Sequence, residues 1–410
     1  MGFDVAYAFV PPYDPFDELV DPTIAAQPRV APHGRRGSLK LGFAASFGLL
    51  GALVLGRLSG ICDTTQAPTP AVGEIANPPA SIPALTPYDY SASLREQQDW
   101  AEFKRRFITV DGRVVDTSNG GVSHTEGQGW GMVLAVAQDD RATFALLAGW
   151  TRTHLSRSFD ALHAWRYDPR RSEPVQDTNN ATDGDLFIAG ALARAARRWN
   201  EPAYRQQARL IAQSVLGLLV REVSGRTILL PGADNFEDET SIVLNPSYYV
   251  FPMLDELANI LPSDVWSRLR SDGIDLIAEA RFGRWKLPAD WVLLELRDNA
   301  IKLAPGHPAR FSFDAVRVPL YLAWAGVMSP AIVSLAKFWN SSERPPAWID
   351  LRDGTTSSYL MPVGMDAVVA LVTEIGREPP AHTARVDAAR DYYSAALIML
   401  ANLARRETVA

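Results

Sequence analysis

An all-α fold of helical hairpins stacked about an axis is what this sequence predicts, on three observations. Apolar residues recur at helical spacing in eleven segments, strand-like runs are few and short, and no repeat of fixed period is present. The missing repeat favours a closed toroid of alternating inner and outer helices over an open solenoid, whose stacked units show a period. In chain order the segments fall near 92–107, 128–140, 142–156, 185–199, 202–222, 247–261, 264–281, 316–327, 330–340, 363–376 and 390–406. The clearest are 202–222, with Ile211, Val215, Leu218 and Leu219 in helical register, and 185–199, with Leu186, Ala189, Ala193 and Ala196. Strand signals are short runs such as 227–230 and 291–296.

The 410 residues, 47% apolar and 21% charged, are enough for one large body with a sizeable core. A net charge of −7 offers no excess of cations to neutralise a phosphate backbone, so nucleic acid is not the expected partner. A neutral polymer fits better. Eleven Trp supply core, and also flat faces on which sugar rings stack. Cys62 stands alone, which excludes an intrachain disulfide and a cysteine-based metal site. None of the six histidines pairs at i, i+3 or i, i+4, so a zinc hydrolase is not expected; chemistry resting on carboxyl groups alone would need no metal or organic cofactor.

Ahead of this body, residues 1–40 form a proline-rich leader that ends in the basic cluster from His33 to Lys40. The uncharged run 41–56 is sixteen residues long, between the needs of a signal peptide and of a membrane span. Residues 41–61 therefore read as a signal peptide or an anchor, with a buried helix as the plain alternative. The basic flank would stay cytoplasmic, placing the remainder in the periplasm or outside the cell, with this apolar segment its contact to the membrane. Arg35-Arg36 loosely matches a twin-arginine signal, and Ile61 before Cys62 argues against lipidation. Residues 62–90, rich in proline, read as an extended linker, and 91–410 as the folded domain.

Most of the 47 acids lie among basic and polar neighbours, as on a solvated face. Three do not. Glu126 lies in Ser123-His124-Thr125-Glu126-Gly127-Gln128-Gly129-Trp130-Gly131, where glycines beside a carboxyl and a large aromatic would let a bulky ligand approach the backbone. A helix cap with a loose glycine turn explains the same residues. The helix dipole there would favour the ionised form, whereas a general acid needs a raised pKa. Asp183 precedes a strong helix and, with Asp185, flanks Gly184, where capping explains one acid more readily than two. Asp314 stands among apolar residues with Arg317 one turn on, either an isolated ion pair or a base held ionised by its neighbour. Pro319 predicts a bend just after Asp314.

Four ordered segments carry a resemblance: Glu126-Gly127-Gln128-Gly129-Trp130-Gly131-Met132, Ala181-Thr182-Asp183-Gly184-Asp185-Leu186, Leu244-Asn245-Pro246-Ser247-Tyr248 and Ser312-Phe313-Asp314-Ala315-Val316-Arg317. Over residues 90–405 the chain resembles glycoside hydrolase family 8, in particular the endoglucanases that accompany bacterial cellulose synthesis. The resemblance implies an (α/α)6 toroid and inversion at the anomeric carbon. It places Glu126 as general acid, Asp314 as general base and Asp183 as the aspartate that binds and helps distort the sugar beside the cleavage point. Tyr248 falls near the nucleophilic water, Arg317 beside the base, and Asn245 and Gln128 in the segments that contact substrate. Trp130, Trp165, Phe187 and Trp291 are expected stacking surfaces. Gly129-Trp130 stands where Ser-Tyr is commoner, and Gly184 and Phe187 where Ala and Trp are often seen, differences that bear on the shape of the groove.

The expectation is therefore an endo-acting inverting hydrolase of β-1,4-glucan, with cellulose synthase machinery as a partner. Glu126 would protonate the leaving oxygen while Asp314 activates a water on the opposite face. The rivals are a chitosanase or xylanase of the same fold, and a non-catalytic polysaccharide-binding subunit of a synthesis complex.

Overall fold

The computed structural model describes residues 92–373 and 384–409. The leader, the apolar segment 41–61 and all of the linker 62–90 lie outside them. Eleven α-helices are found among the described residues: α1 (Leu94–Phe107), α2 (Thr125–Ala137), α3 (Arg141–Leu155), α4 (Thr182–Trp199), α5 (Pro202–Ser214), α6 (Phe251–Ile260), α7 (Asp264–Glu279), α8 (Arg317–Trp324), α9 (Pro330–Trp339), α10 (Val363–Thr373) and α11 (Tyr392–Val409).

Burial sorts them into two layers. Twelve of the thirteen residues of α2 and all eight of α8 are buried, so these helices are apolar all round and belong inside. By contrast, α1, α5 and α7 bury one stripe and turn charged faces outward. The inner helices close a ring, α2 packing on α4, α4 on α6, α6 on α8, α8 on α10, α10 on α11, and α11 back on α2. Outside it, α3 backs α2, α5 backs α4, α7 backs α6, α9 backs α8 and α1 backs α11. Six inner and five outer helices among the described residues thus take the arrangement of the (α/α)6 toroid expected.

Local chemistry explains where the elements stop. Helix α1 opens on a capping box: the Ser93 hydroxyl accepts from the Glu96 amide at 3.2 Å, and the Glu96 carboxylate accepts from the Ser93 amide at 2.8 Å. The expected helix 202–222 ends early, passing through a π-turn at Val215–Leu219 into the hairpin of Val220–Val223 with Arg226–Leu229. The run at 291–296 becomes the strand Val292–Glu295, paired antiparallel with Ser241–Leu244 and Ile301–Leu303. Pro319 bends nothing. Helix α8 begins only at Arg317, so the proline occupies its first turn, where an amide would have had no helical partner.

Gly129 of α2 and Gly184 of α4 also have another role than the one expected of glycines near the acids. A Cβ at Gly129 would lie 2.5 Å from the Phe187 Cβ, and one at Gly184 2.1 Å from the Thr125 hydroxyl oxygen. Their missing side chains let α2 and α4 pack closely, and do not open a path for ligand. At the opposite ends of the inner helices, buried Arg194 reaches Glu256 at 2.9 Å and Glu407 at 3.0 Å, and the Trp324 indole donates to Glu407 at 2.6 Å. That network ties α4, α6, α8 and α11 into one ring.

Candidate active site

Only Glu126 among the residues of α2 escapes full burial, and it stands in the first turn. Asp183 holds the corresponding place on α4, Arg317 opens α8, and Ser247 and Tyr248 lie in the short 3-10 turn Pro246–Tyr248 just ahead of α6. The starting ends of inner helices thus converge at one mouth of the ring, with their positive dipole ends facing a group of carboxylates.

Arg317 gathers that group. Its guanidinium, 2% exposed, contacts the Glu126 carboxylate and the Asp314 carboxylate, and donates to Asp183 Oδ2 at 3.1 Å and to Ser247 Oγ at 3.0 Å. Three acids far apart in sequence therefore share one cation. Fully ionised, they would leave two negative charges uncompensated in a poorly solvated pocket, which favours taking up protons. Accordingly, burial, with Asp185 adding to it, pushes Asp183 up to about 7. Asp314 is raised well above the usual carboxylate range by burial and then by the charges of Asp290 and Asp183, while the side chains of Asn245 and Trp291 favour its ionised form. Arg317 does touch Asp314 as expected. One guanidinium divided among three carboxylates does not bring it below the usual range, because desolvation is the larger effect.

The expected substrate contacts divide. Tyr248 lies half-buried at the mouth, its phenol raised well above its ordinary value by burial and by Asp183 and Asp314. Trp165 is also partly exposed, stacked on His124 with centroids 6.0 Å apart, its indole donating to Asp177 at 2.9 Å. Asn245 is buried beside Asp314, its Oδ1 accepting from the Ser247 amide at 3.0 Å. Trp130, Phe187, Trp291 and Gln128 depart from expectation. Trp130 and Phe187 are wholly buried, the first packed against Tyr392 and Tyr393, the second against Trp130 and Tyr321. Trp291 is 2% exposed, with Phe236 and His307 stacked against it, and so offers no face to a sugar. Gln128 is spent inside the protein, accepting from the Val114 amide at 2.6 Å and donating to Thr151 Oγ1 at 2.9 Å.

Two residues at the site were missed in the sequence. Asp290 accepts from the Ser312 amide at 3.0 Å, the Ala315 amide at 2.8 Å and the Ser312 hydroxyl, and burial raises it to about 6. Its signal was an acid inside the apolar run Leu287-Pro288-Ala289-Asp290-Trp291, the same signal that marked Asp314. Tyr393 on α11 donates to the Phe313 carbonyl from the other side, a contact no spacing announces. Asp185, wholly buried, contacts His163 at 2.8 Å and accepts from Asn180 at 3.0 Å, fixing the loop ahead of α4.

Residues 81–407 match the model of Glycosyl hydrolases family 8. Among curated proteins, a probable endoglucanase of Novacetimonas hansenii is 42% identical over 313 residues, covering 76% of this chain and 91% of the relative. An endoglucanase of Cellulomonas uda is 40% identical, over 66% of this chain and 76% of its own. Among solved structures, an endo-beta-1,4-glucanase from Acetobacter xylinum superposes with a TM-score of 0.73 at 41% identity, covering 77% of this chain and 99% of that one.

Proposed function

The chain belongs to glycosyl hydrolases family 8, and from that premise we propose how its acids divide the work. It is an endoglucanase acting on β-1,4-glucan. In our reading Glu126 protonates the leaving oxygen, the ionised form of Asp314 takes the proton of a water on the far face of the sugar, and the anomeric carbon inverts. Asp183 holds the distorted sugar at the cleavage point, and Tyr248 borders the attacking water.

The observation that supports this most is the convergence of Glu126, Asp183 and Asp314 on Arg317. Inversion needs the two carboxyl groups roughly 6.5–9.5 Å apart, with water between them. A glucan chain entering the mouth separates Glu126 from Arg317. Without the cation that favours its ionised form, the Glu126 carboxylate takes up a proton from water as the site closes on the chain, and holds it until the leaving oxygen takes it. Asp290 is a poorer base, because both its oxygens are already engaged by the 312–315 turn. Residues 41–61, in the same reading, export or anchor the body on the outer side of the inner membrane, within reach of cellulose synthase machinery.

Initial rates on carboxymethylcellulose, chitosan and xylan test the substrate. Carboxymethylcellulose should lose viscosity early, before many reducing ends appear, at a rate about tenfold or more above the other two. Faster cleavage of chitosan or xylan would reassign the groove, and binding without cleavage would make the chain a polysaccharide-binding subunit.

A further inference from the structure

Asp314 is not placed by its own helix. It precedes α8, in a turn whose backbone bonds are short-range ones, such as the Arg317 amide to the Asp314 carbonyl at 3.0 Å. A turn of this kind needs outside support to hold a side chain to a fraction of an ångström. Support comes from Asp290, a residue 6% exposed whose carboxylate receives the Ser312 amide, the Ser312 hydroxyl and the Ala315 amide, donors on both sides of the base. The strand pair Arg310–Phe311 with Ile349–Asp350 steadies the approach to the turn, and the Asp290 amide donates to the Arg310 carbonyl at 2.8 Å.

We propose that Asp290 is the positioning residue of the general base: its carboxylate gathers the 312–315 turn and thereby sets where the Asp314 carboxylate points. The inference rests on the assignment of Asp314 as base and extends it to a residue that touches neither sugar nor water. Asp290 also sets the charge environment of the base. The groups facing Asp314 are Arg317 at the start of α8, Glu126 and Asp183 across that guanidinium from α2 and α4, Tyr248 ahead of α6, Tyr393 on α11, and Asp290. Arg310 in turn faces Asp290. Removing the charge of Asp290 while keeping its shape takes away a like-charge neighbour, so Asp314 should ionise at lower pH.

Asp290→Asn is therefore expected to lower kcat about 100-fold, the scale of a misplacement near 1 Å, with KM within about twofold because no substrate contact is lost. The acidic limb of kcat/KM should move to lower pH. Ser312→Ala, which removes one donor and leaves the charge, should lower kcat less and leave that limb in place. A merely structural role would lower thermal stability without moving the limb. Wild-type kcat in Asp290→Asn overturns the proposal wherever the limb lies, and should that variant fail to fold, an unchanged kcat in Ser312→Ala overturns it. Asp314→Asn serves as the control. If it hydrolyses normally, base assignment and positioning role fall together, whereas an inactive Asp314→Asn beside a normal Asp290→Asn overturns the positioning role alone.

Discussion

Replacing Asp314 by Asn, or Glu126 by Gln, is expected to lower turnover on a soluble β-1,4-glucan by about 10²–10⁴-fold, the range that a positioned acid or base contributes. Neither change should cost the fold. Asp314 sits against the charges of Asp290 and Asp183, and Asn relieves that repulsion at the same volume. Glu126 is the least buried residue of α2, and Gln keeps its hydrogen-bonding reach. The two variants should differ in one respect that separates their roles. An activated aryl glycoside, whose leaving group departs without protonation, should restore much of the activity of Glu126→Gln and none of that of Asp314→Asn. Equal rescue of both variants, or near-wild-type turnover in either on the natural linkage, would refute the division of labour.

Removing the central cation should be the most destabilising single change at this end of the ring. Arg317→Met keeps length but leaves Glu126, Asp183 and Asp314 facing one another, and breaking a buried ion pair costs about 3–5 kcal/mol. The loss depends on pH with a definite sign. Asp183 already has its folded pKa raised from 3.8 to about 7, so its favourable contribution is present below pH 3.8 and is lost as pH rises through 7. Without Arg317 the three acids repel more strongly and hold their protons to higher pH. Urea denaturation should therefore show Arg317→Met far below wild type at pH 8 and much closer to it at pH 5. An equal gap at both values would mean that Arg317 stabilises by packing against Trp130 and Tyr248 rather than by charge.

Helical periodicity made the layers of the toroid legible, because an inner helix such as α8 is apolar on every side and an outer one such as α5 on one stripe. The acids stood out where they broke an apolar context. Periodicity does not distinguish an aromatic that faces a groove from one that faces a neighbouring helix. Trp130 and Phe187 therefore read as sugar platforms although close packing of α2 on α4 buries both. Gln128 read as a ligand contact because the sequence does not reveal that Val114 and Thr151, distant along the chain, take up its amide. The bend expected at Pro319 failed for a local reason, since α8 starts at Arg317 and the proline falls in its first turn; the turn holding Asp314 was not legible because Asp290 and Tyr393, which close it, are remote in sequence.

The claim on which the account turns is that Glu126 and Asp314 act from opposite faces of one sugar, with water attacking directly. Proton NMR of the reducing end, recorded in the first minutes of hydrolysis of a cello-oligosaccharide, reads this without mutation. The α-anomer should appear first and the β-anomer grow in only by mutarotation. First appearance of the β-anomer would contradict the account, since retention requires a carboxylate that bonds to the sugar instead of one that activates water.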